Sequence, residues 1–317
     1  MVYLEPHQMG WQPLMASWLN TLPGTISSDN KKHLQGLFEW MVLGALRCVR
    51  KNIKEISPTA DASLVASLMR IFYSLIDEIK TDEGLKNVGN ERLVKWIDSI
   101  FLFSLVWSIG STGDTDGHAT FDTFLRNLVV GTIPDGFDLV VPAIHENLKC
   151  DMMPSDQGSD VYNYTFDKPT CKWKAWIDTI VPLEIAEDSS FDQIIVPTKD
   201  QMRYTFLLDK GILYGSPVLL VGGTGTGKTI YMNRHLLKGL SRDLFTTLLV
   251  VLSARTSANM VQNQIDGSLD RRKRGHYGPL PGKRCIIFVD DLNMPQVINN
   301  INKQIYQYMF IYTCSCY

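Results

Sequence analysis

Apolar residues recur at helical spacing through roughly the first 130 positions. Between Lys31 and Val49 the stripe is Leu34, Leu37, Phe38, Met41, Ala45 and Val49. After Pro58 a second stripe follows: Leu64, Leu68, Ile71, Leu75 and Ile79, with Asp61 the candidate N-cap. A third stretch, about Glu91 to Trp107, is apolar nearly all round, which predicts the central helix of a bundle. Its most apolar part, Ile97 to Ile109, is interrupted by Asp98 and is shorter than the roughly 20 residues that span a bilayer. It reads as a buried helix, so no membrane association is expected. A fourth helix carries Phe121, Phe124, Leu125 and Leu128. The stripes read as core and not as cofactor boxes, and residues 1–130 form an all-α unit.

The pattern then changes twice. Residues 131–196 are punctuated by Pro134, Gly136, Pro142, Pro154, Gly158, Pro169 and Pro182, an extended connecting segment in which Trp173 and Trp176 are expected anchors. From 197 onward short apolar runs end at special residues. Pro217–Val221 leads into glycines and reads as a strand buried on both faces; Leu248–Leu252 is a second strand; Cys285–Val289 is a third and ends in Asp290-Asp291. Ile230, Leu236, Leu237 and Leu240 place a helix after the first strand, weakened near its end by Gly239.

The first strand opens the most specific motif of the chain. Gly222-Gly223-Thr224-Gly225-Thr226-Gly227-Lys228-Thr229 fits G-x-x-x-x-G-K-[ST], the phosphate-binding P-loop, and the required strand and helix flank it. The glycines let the backbone turn tightly and bring its N–H groups to an anion. Lys228 supplies charge for the β- and γ-phosphates of a nucleotide, and Thr229 a hydroxyl for Mg²⁺. Cys285–Asp290 has the form of a Walker B strand. Asp290 is placed to hold Mg²⁺ through water, and Asp291 to polarise the attacking water. A glycine-rich turn and an acidic strand cap are the plainer readings of each motif alone; together, in this order, they specify an ATP site.

Composition narrows the alternatives. Charged residues are 20% and hydrophobic residues 45% of 317, as in globular proteins, and the net charge of −2 gives no general attraction to nucleic acid or anionic membrane. The six cysteines are scattered, which suggests reduced thiols and no metal site. Gln264–Lys283 is a polar, turn-rich insertion containing Arg271-Arg272-Lys273-Arg274. It reads as a solvated hairpin tip, with a grip on an acidic partner or nucleic acid as the alternative.

The P-loop region Pro217–Thr229 and the stretch Phe288-Val289-Asp290-Asp291-Leu292-Asn293-Met294-Pro295 resemble the third AAA+ module of dynein heavy chains, most of all the axonemal inner-arm type. Tyr3-Leu4-Glu5-Pro6, Gly10-Trp11, Trp18-Leu19-Asn20 and the run Phe101–Gly110 resemble the end of the second module. The resemblance covers about residues 2–296. Val297–Tyr317 departs from it, reading Ile-Asn-Asn-Ile-Asn-Lys where a dynein continues into the next helix and strand.

The resemblance implies an α/β P-loop NTPase (AAA+) core with an incomplete parallel sheet, preceded by an all-α helical lid. Residues 1–130 are the lid of the preceding module, 131–196 a crossover docking on the next module, and 197–317 the start of the P-loop core, truncated after Walker B. It implies ATP and Mg as cofactors, and Val196, Pro197 and Thr198 near the adenine, though an ordinary Pro-containing loop reads equally well there. It implies a regulatory nucleotide site in a microtubule motor of the ciliary axoneme and cytoskeleton. The partners would be the other AAA+ modules, intermediate and light chains, and microtubules. Asp291 stands where most AAA+ ATPases have Glu, which argues against fast hydrolysis. The alternative is a non-catalytic structural or interaction segment. Three recognisable strands, against about five or more in a doubly wound sheet, lead to the expectation that the isolated chain binds ATP weakly and hydrolyses it negligibly.

Overall fold

The computed structural model describes residues 10–132, 148, 150–155, 158–180, 196–223, 225–273, 276–292, 294 and 307–314, the last stretch and Asn90 by backbone alone. The chain divides into two compact units, Met1–Lys199 and Asp200–Tyr317.

The described residues of the first unit form six α-helices: α1 Gln12–Thr21, α2 Ser28–Asn52, α3 Asp61–Leu75, α4 Asp82–Val88, α5 Asn90–Ser108 and α6 Thr115–Val130. Four answer the predicted stripes; α1 is only ten residues long, and the short α4 buries no residue. Leu34, Leu37, Phe38, Met41, Ala45 and Val49 are all buried on α2, as are Phe121, Phe124, Leu125 and Leu128 on α6. Phe38 of α2 meets Phe101 of α5 edge-on at 5.1 Å, and Trp18 lies 5.8 Å from both Phe38 and Phe72. Such aromatic contacts add about 0.5–1.5 kcal/mol each beyond area burial.

Helix α5 is central, as its all-round apolar pattern requires. Glu91–Thr112 is long and apolar enough to cross a membrane, yet 89% of that window is buried inside the unit. Its hydroxyls are silenced locally: Ser104 Oγ donates to Ile100 O at 2.7 Å and Ser108 Oγ to Ser104 O at 2.6 Å. Asp98 takes a partner from α2, His33 Nε2 at 2.6 Å.

Helix boundaries depart from the sequence reading at both ends of α3: the stripe reads on to Ile79, but the helix stops at Leu75 and Ile79 lies in a separate 3-10 turn, Asp77–Lys80. Asp61 is the first helical residue, not the cap; the cap position is Ala60, with no side-chain bond. The Asp61 carboxylate instead receives Arg50 Nη2 at 2.7 Å and Nε at 3.0 Å, fastening the end of α2 to the start of α3. By contrast Asp114 does cap α6, accepting from Gly117 N at 2.9 Å, and Gly131 closes that helix in the left-handed conformation at φ 85°.

The described part of the connecting segment packs on the helices before it. Strands β1 Tyr164–Asp167 and β2 Lys172–Ala175 form an antiparallel hairpin. Tyr162 Oη donates to Gly110 O at 2.7 Å, Arg126 Nη1 to Met153 O at 2.8 Å, and the Val161 amide to Asp122 at 2.8 Å. Trp176 is buried beside Phe103, whereas Trp173 is half-buried with its Nε1 on Asp151 O at 2.9 Å. Proline and glycine spacing announces irregular backbone, but it does not say which surface that backbone covers.

In the second unit α7, Lys199–Leu213, leads to β3 Val218–Gly222. Then come α8 Lys228–Arg234, β4 Phe245–Val251, α9 Ala258–Ser268, the hairpin β5 Asp270–Lys273 and β6 His276–Gly278, β7 Arg284–Asp290 and β8 Gln307–Cys314. The main sheet has the order β3-β8-β7-β4. Strands β4 and β7 pair in parallel; β8 is antiparallel to both β7 and β3. The expected incomplete parallel sheet is therefore a mixed one, and the Walker B strand is not beside the P-loop strand. A fourth strand from the stretch outside the resemblance fills the slot between them. The physical reason is twofold. An open slot would leave the facing N–H and C=O groups of two strands unpaired. Tyr308-Met309-Phe310-Ile311-Tyr312-Thr313 is rich in strand-forming residues.

Two further readings change. Strand β3 is not buried on both faces: Leu219 is 49% exposed. Helix α8 buries Met232 and Leu236, while Ile230 and Leu237 face solvent. Its last turn, His235–Gly239, is π-helical; the wider turn shifts the register and rotates Leu237 outward. Gly239 permits it, since a Cβ there would stand 2.8 Å from His235 Nδ1. The polar insertion is a hairpin as read, but its predicted start, Gln264, belongs to α9, and Arg274 lies outside the described residues.

Candidate nucleotide-binding site

The loop between β3 and α8 is shaped by two left-handed glycines, Gly225 at φ 80° and Gly227 at φ 81°. A Cβ at Gly227 would also stand 3.0 Å from the Tyr231 ring. Gly222 ends the strand, and a Cβ on Gly223 meets nothing within 4 Å, so these two glycines are not demanded by the fold of the loop. Thr224 lies outside the described residues. Thr226 Oγ1 donates to Gly223 O at 3.0 Å and holds the turn closed.

Lys228 bends back over this loop. Its Nζ donates to Gly222 O at 3.0 Å, to Gly223 O, and to Thr226 Oγ1 at 3.0 Å. Partial burial pushes its pKa down from the usual lysine value, opposed by the nearby Asp290 and Asp291. The ammonium is thus poised among acceptors at the mouth of the loop.

The sheet brings the two motifs together even though their strands are not neighbours. Thr229 Oγ1 donates to Asp290 Oδ2 at 3.0 Å, a contact across 61 residues of sequence. Asp290 is buried at 7% exposure at the end of β7, and its other oxygen accepts the Asp291 amide at 2.9 Å. Its backbone carbonyl also receives Leu252 N at 3.1 Å. The two oxygens of Thr229 and Asp290 are hard donors of the kind Mg²⁺ takes. With phosphates and waters completing the shell, one or two protein ligands suffice, so the residues fit that ion. Among the described residues no cluster of three or more His, Cys, Asp or Glu offers any other metal a site.

Asp291 takes an unexpected backbone conformation, φ 55°, in the left-handed region that non-glycine residues seldom occupy. Met294 N bonds its carbonyl at 2.9 Å and closes the turn that holds it there. Burial, and then the charge of Asp290, push its carboxyl above the usual carboxylate range, with Lys228 pulling the other way. A raised pKa suits a proton acceptor better than an ordinary carboxylate does.

Of the predicted site residues the structure thus joins Gly222, Gly223, Gly225, Thr226, Gly227, Lys228 and Thr229 with Asp290 and Asp291 around one loop. Val196, Pro197 and Thr198 form the coil before α7, at the end of the first unit, with Val196 exposed. Sequence reasoning missed two supports. His235 Nε2 meets Asp209 Oδ1 at 2.6 Å, tying α8 to α7. Arg284 donates to Leu213 O at 2.9 Å and Ile212 O at 2.8 Å, capping the last carbonyls of α7. Both pairs lie far apart in sequence and carry no local motif.

Comparison with known families matches residues 34–178 to the dynein heavy chain AAA lid domain, and residues 183–308 to the P-loop containing dynein motor region. The first match runs past α6 and takes in the β1–β2 hairpin, in keeping with the way that segment packs. Among curated proteins, dynein axonemal heavy chain 12 of Mus musculus is 39% identical over 300 residues, 94% of this chain and 9% of the relative. Its Homo sapiens counterpart is 38% identical over 304 residues, 93% of this chain and 9% of the relative. Dynein axonemal heavy chain 3 of Homo sapiens is 35% identical over 303 residues, 93% of this chain and 7% of the relative. The chain spans under a tenth of the length of these relatives.

Proposed function

This chain belongs to the dynein heavy chain family, and from that premise we infer that its P-loop is the nucleotide site opening the third AAA+ module of a motor heavy chain. The helical unit before it is the lid that ends the second module. The observation that carries the reading is the 3.0 Å bond between Thr229 and Asp290, which sets a P-loop hydroxyl and a Walker B carboxylate at one point. On ATP binding the amides of 222–227 receive the phosphates, and Lys228 exchanges its loop carbonyls for the β- and γ-phosphate oxygens. Thr229 and Asp290 hold Mg²⁺, which supplies charge neutralisation at the phosphates. Asp291 takes a proton from the attacking water, and Val196, Pro197 and Thr198 border the adenine. In the whole motor this site biases the ring between conformations and so gates microtubule release at the main module. That places it in the ciliary axoneme among the other modules, intermediate and light chains.

A second reading, a structural or interaction segment that holds nucleotide weakly, is favoured by the antiparallel β8 and by the short arm of Asp291 in a strained backbone. One experiment separates the two. MgATP is titrated calorimetrically into the 317-residue chain and into its Lys228→Ala variant. A nucleotide site requires heat that the variant loses about ten- to hundredfold in affinity, the effect of a charge-assisted contact worth about 1.5–3 kcal/mol. Absence of binding to both proteins leaves the second reading standing. Steady turnover abolished by the same substitution removes it.

A further inference from the structure

The β5–β6 hairpin is the one basic motif that the nucleotide site does not use. All four residues of β5, Asp270, Arg271, Arg272 and Lys273, are exposed, and so are His276 and Tyr277 on β6. A strand with one face on a core alternates inside and outside positions; this one does not. A two-stranded ribbon with both faces in water is marginal by itself. Its charge is also one-sided. Arg271 stands opposite Tyr277, and Lys273 opposite His276, in a ladder whose register shifts between Arg271 and Lys273. Lys273 and Arg271 thus set two exposed cations on one strand of the ribbon. No ion pair among the described residues reaches Arg271 or Lys273. Arg272 has a task within the hairpin, donating to Pro279 O at 3.0 Å.

We propose that the β5–β6 ribbon is a docking surface for an extended acidic segment of a protein, which adds as a third strand and lays its carboxylates against Arg271, Lys273 and His276. Strand addition supplies backbone bonds to an edge that shows none among the described residues, and the carboxylates pair with Arg271 and Lys273. The chemistry favours a peptide over a nucleic acid: among its described residues the ribbon offers one exposed ring, Tyr277, where single-stranded nucleic acid stacks on several.

The test uses the full chain and a labelled polyglutamate peptide, read by fluorescence anisotropy at low salt and again at about 0.15 M. Binding is expected, weaker at the higher salt, and reduced about tenfold by the double variant Arg271→Gln/Lys273→Gln. Arg271→Lys, which keeps the charge, should retain it. Circular dichroism of each variant shows whether the fold survives the exchange of these exposed residues. No binding of the peptide, or binding indifferent to the double variant, overturns the proposal. So does equal affinity for a labelled oligothymidylate, which would make the ribbon a general polyanion contact.

Discussion

The two units keep their apolar residues in opposite ways. Of the eight largest fully buried aromatic side chains, Tyr162, Phe38, Phe72, Phe101, Phe103, Phe121 and Phe124 belong to the helical unit and Phe288 alone to the P-loop unit. The buried cluster of the P-loop unit is six residues, Leu208, Ile212, Met232, Leu236, Ile286 and Phe288. Around it Leu213, Leu219, Ile230, Leu244, Val251 and Met260 are about half exposed or more. The helical unit is therefore stabilised by its own interior. The P-loop unit leaves part of its apolar surface facing outward and sets the candidate site at the end of its strands, where the buried Asp290 meets the exposed Thr229. A unit that holds a site at low intrinsic stability is the one whose equilibrium a ligand can shift.

The largest test of this contrast is Phe101→Ala. Phe101 is fully buried at the centre of α5, and its truncation should lower the stability of the helical unit by about 3–5 kcal/mol in urea unfolding. A loss below about 1 kcal/mol would show that the helical core is loose and would break the comparison. Next comes Gly227→Ala in the P-loop unit. The left-handed φ and the close Tyr231 ring set a penalty of about 1–2 kcal/mol, and calorimetric nucleotide affinity should fall with it. Unchanged affinity would mean that the loop tolerates a different curvature.

The smallest effect is one of pH. Burial holds the Asp98 carboxyl above its usual range, while the His33 bond draws it down and Asp151 pushes it up. The folded unit thus binds this proton more tightly than the unfolded chain does. Its stabilisation is complete below the ordinary carboxylate value and is lost as pH rises through the folded value. Thermal melts across that window should slope downward with pH in the native chain and flatten in Asp98→Asn. An equal slope in both would assign the titration to another group.

Much of this architecture is written in the sequence, and the failures share a cause. The helical stripes of α2, α3, α5 and α6 are visible because a helix reads its own neighbours at three and four residues. The P-loop is visible because phosphate chemistry fixes residue types at fixed spacing. What stayed hidden depends mostly on partners far along the chain: the arginine that recruits Asp61 away from capping, the Gly110 carbonyl that receives Tyr162, and the Met153 carbonyl that Arg126 of α6 reaches. Strand β8 is the clearest case. Its residues favour a strand, but only the unpaired edges of β3 and β7 make it one, and the resemblance that located the motifs ends before it. Within the site, the positive φ of Asp291 had no sequence signal at all, since glycine or asparagine is what such a turn ordinarily selects.

The place of β8 also sets an order of assembly. Among the described strands it is the sole sheet partner of β3, with Gly222 opposite Gln307, and it lies later in the chain than every other. During synthesis β4 and β7 can zip together, and β8 can fold back on β7, while β3 still has nothing to join. Closing β3 onto β8 is the most distant pairing in the sheet and, by the dependence of rate on sequence separation, the slow one. The phosphate loop hangs from β3. The nucleotide-binding curve thus depends on the sheet pairing that spans the most sequence.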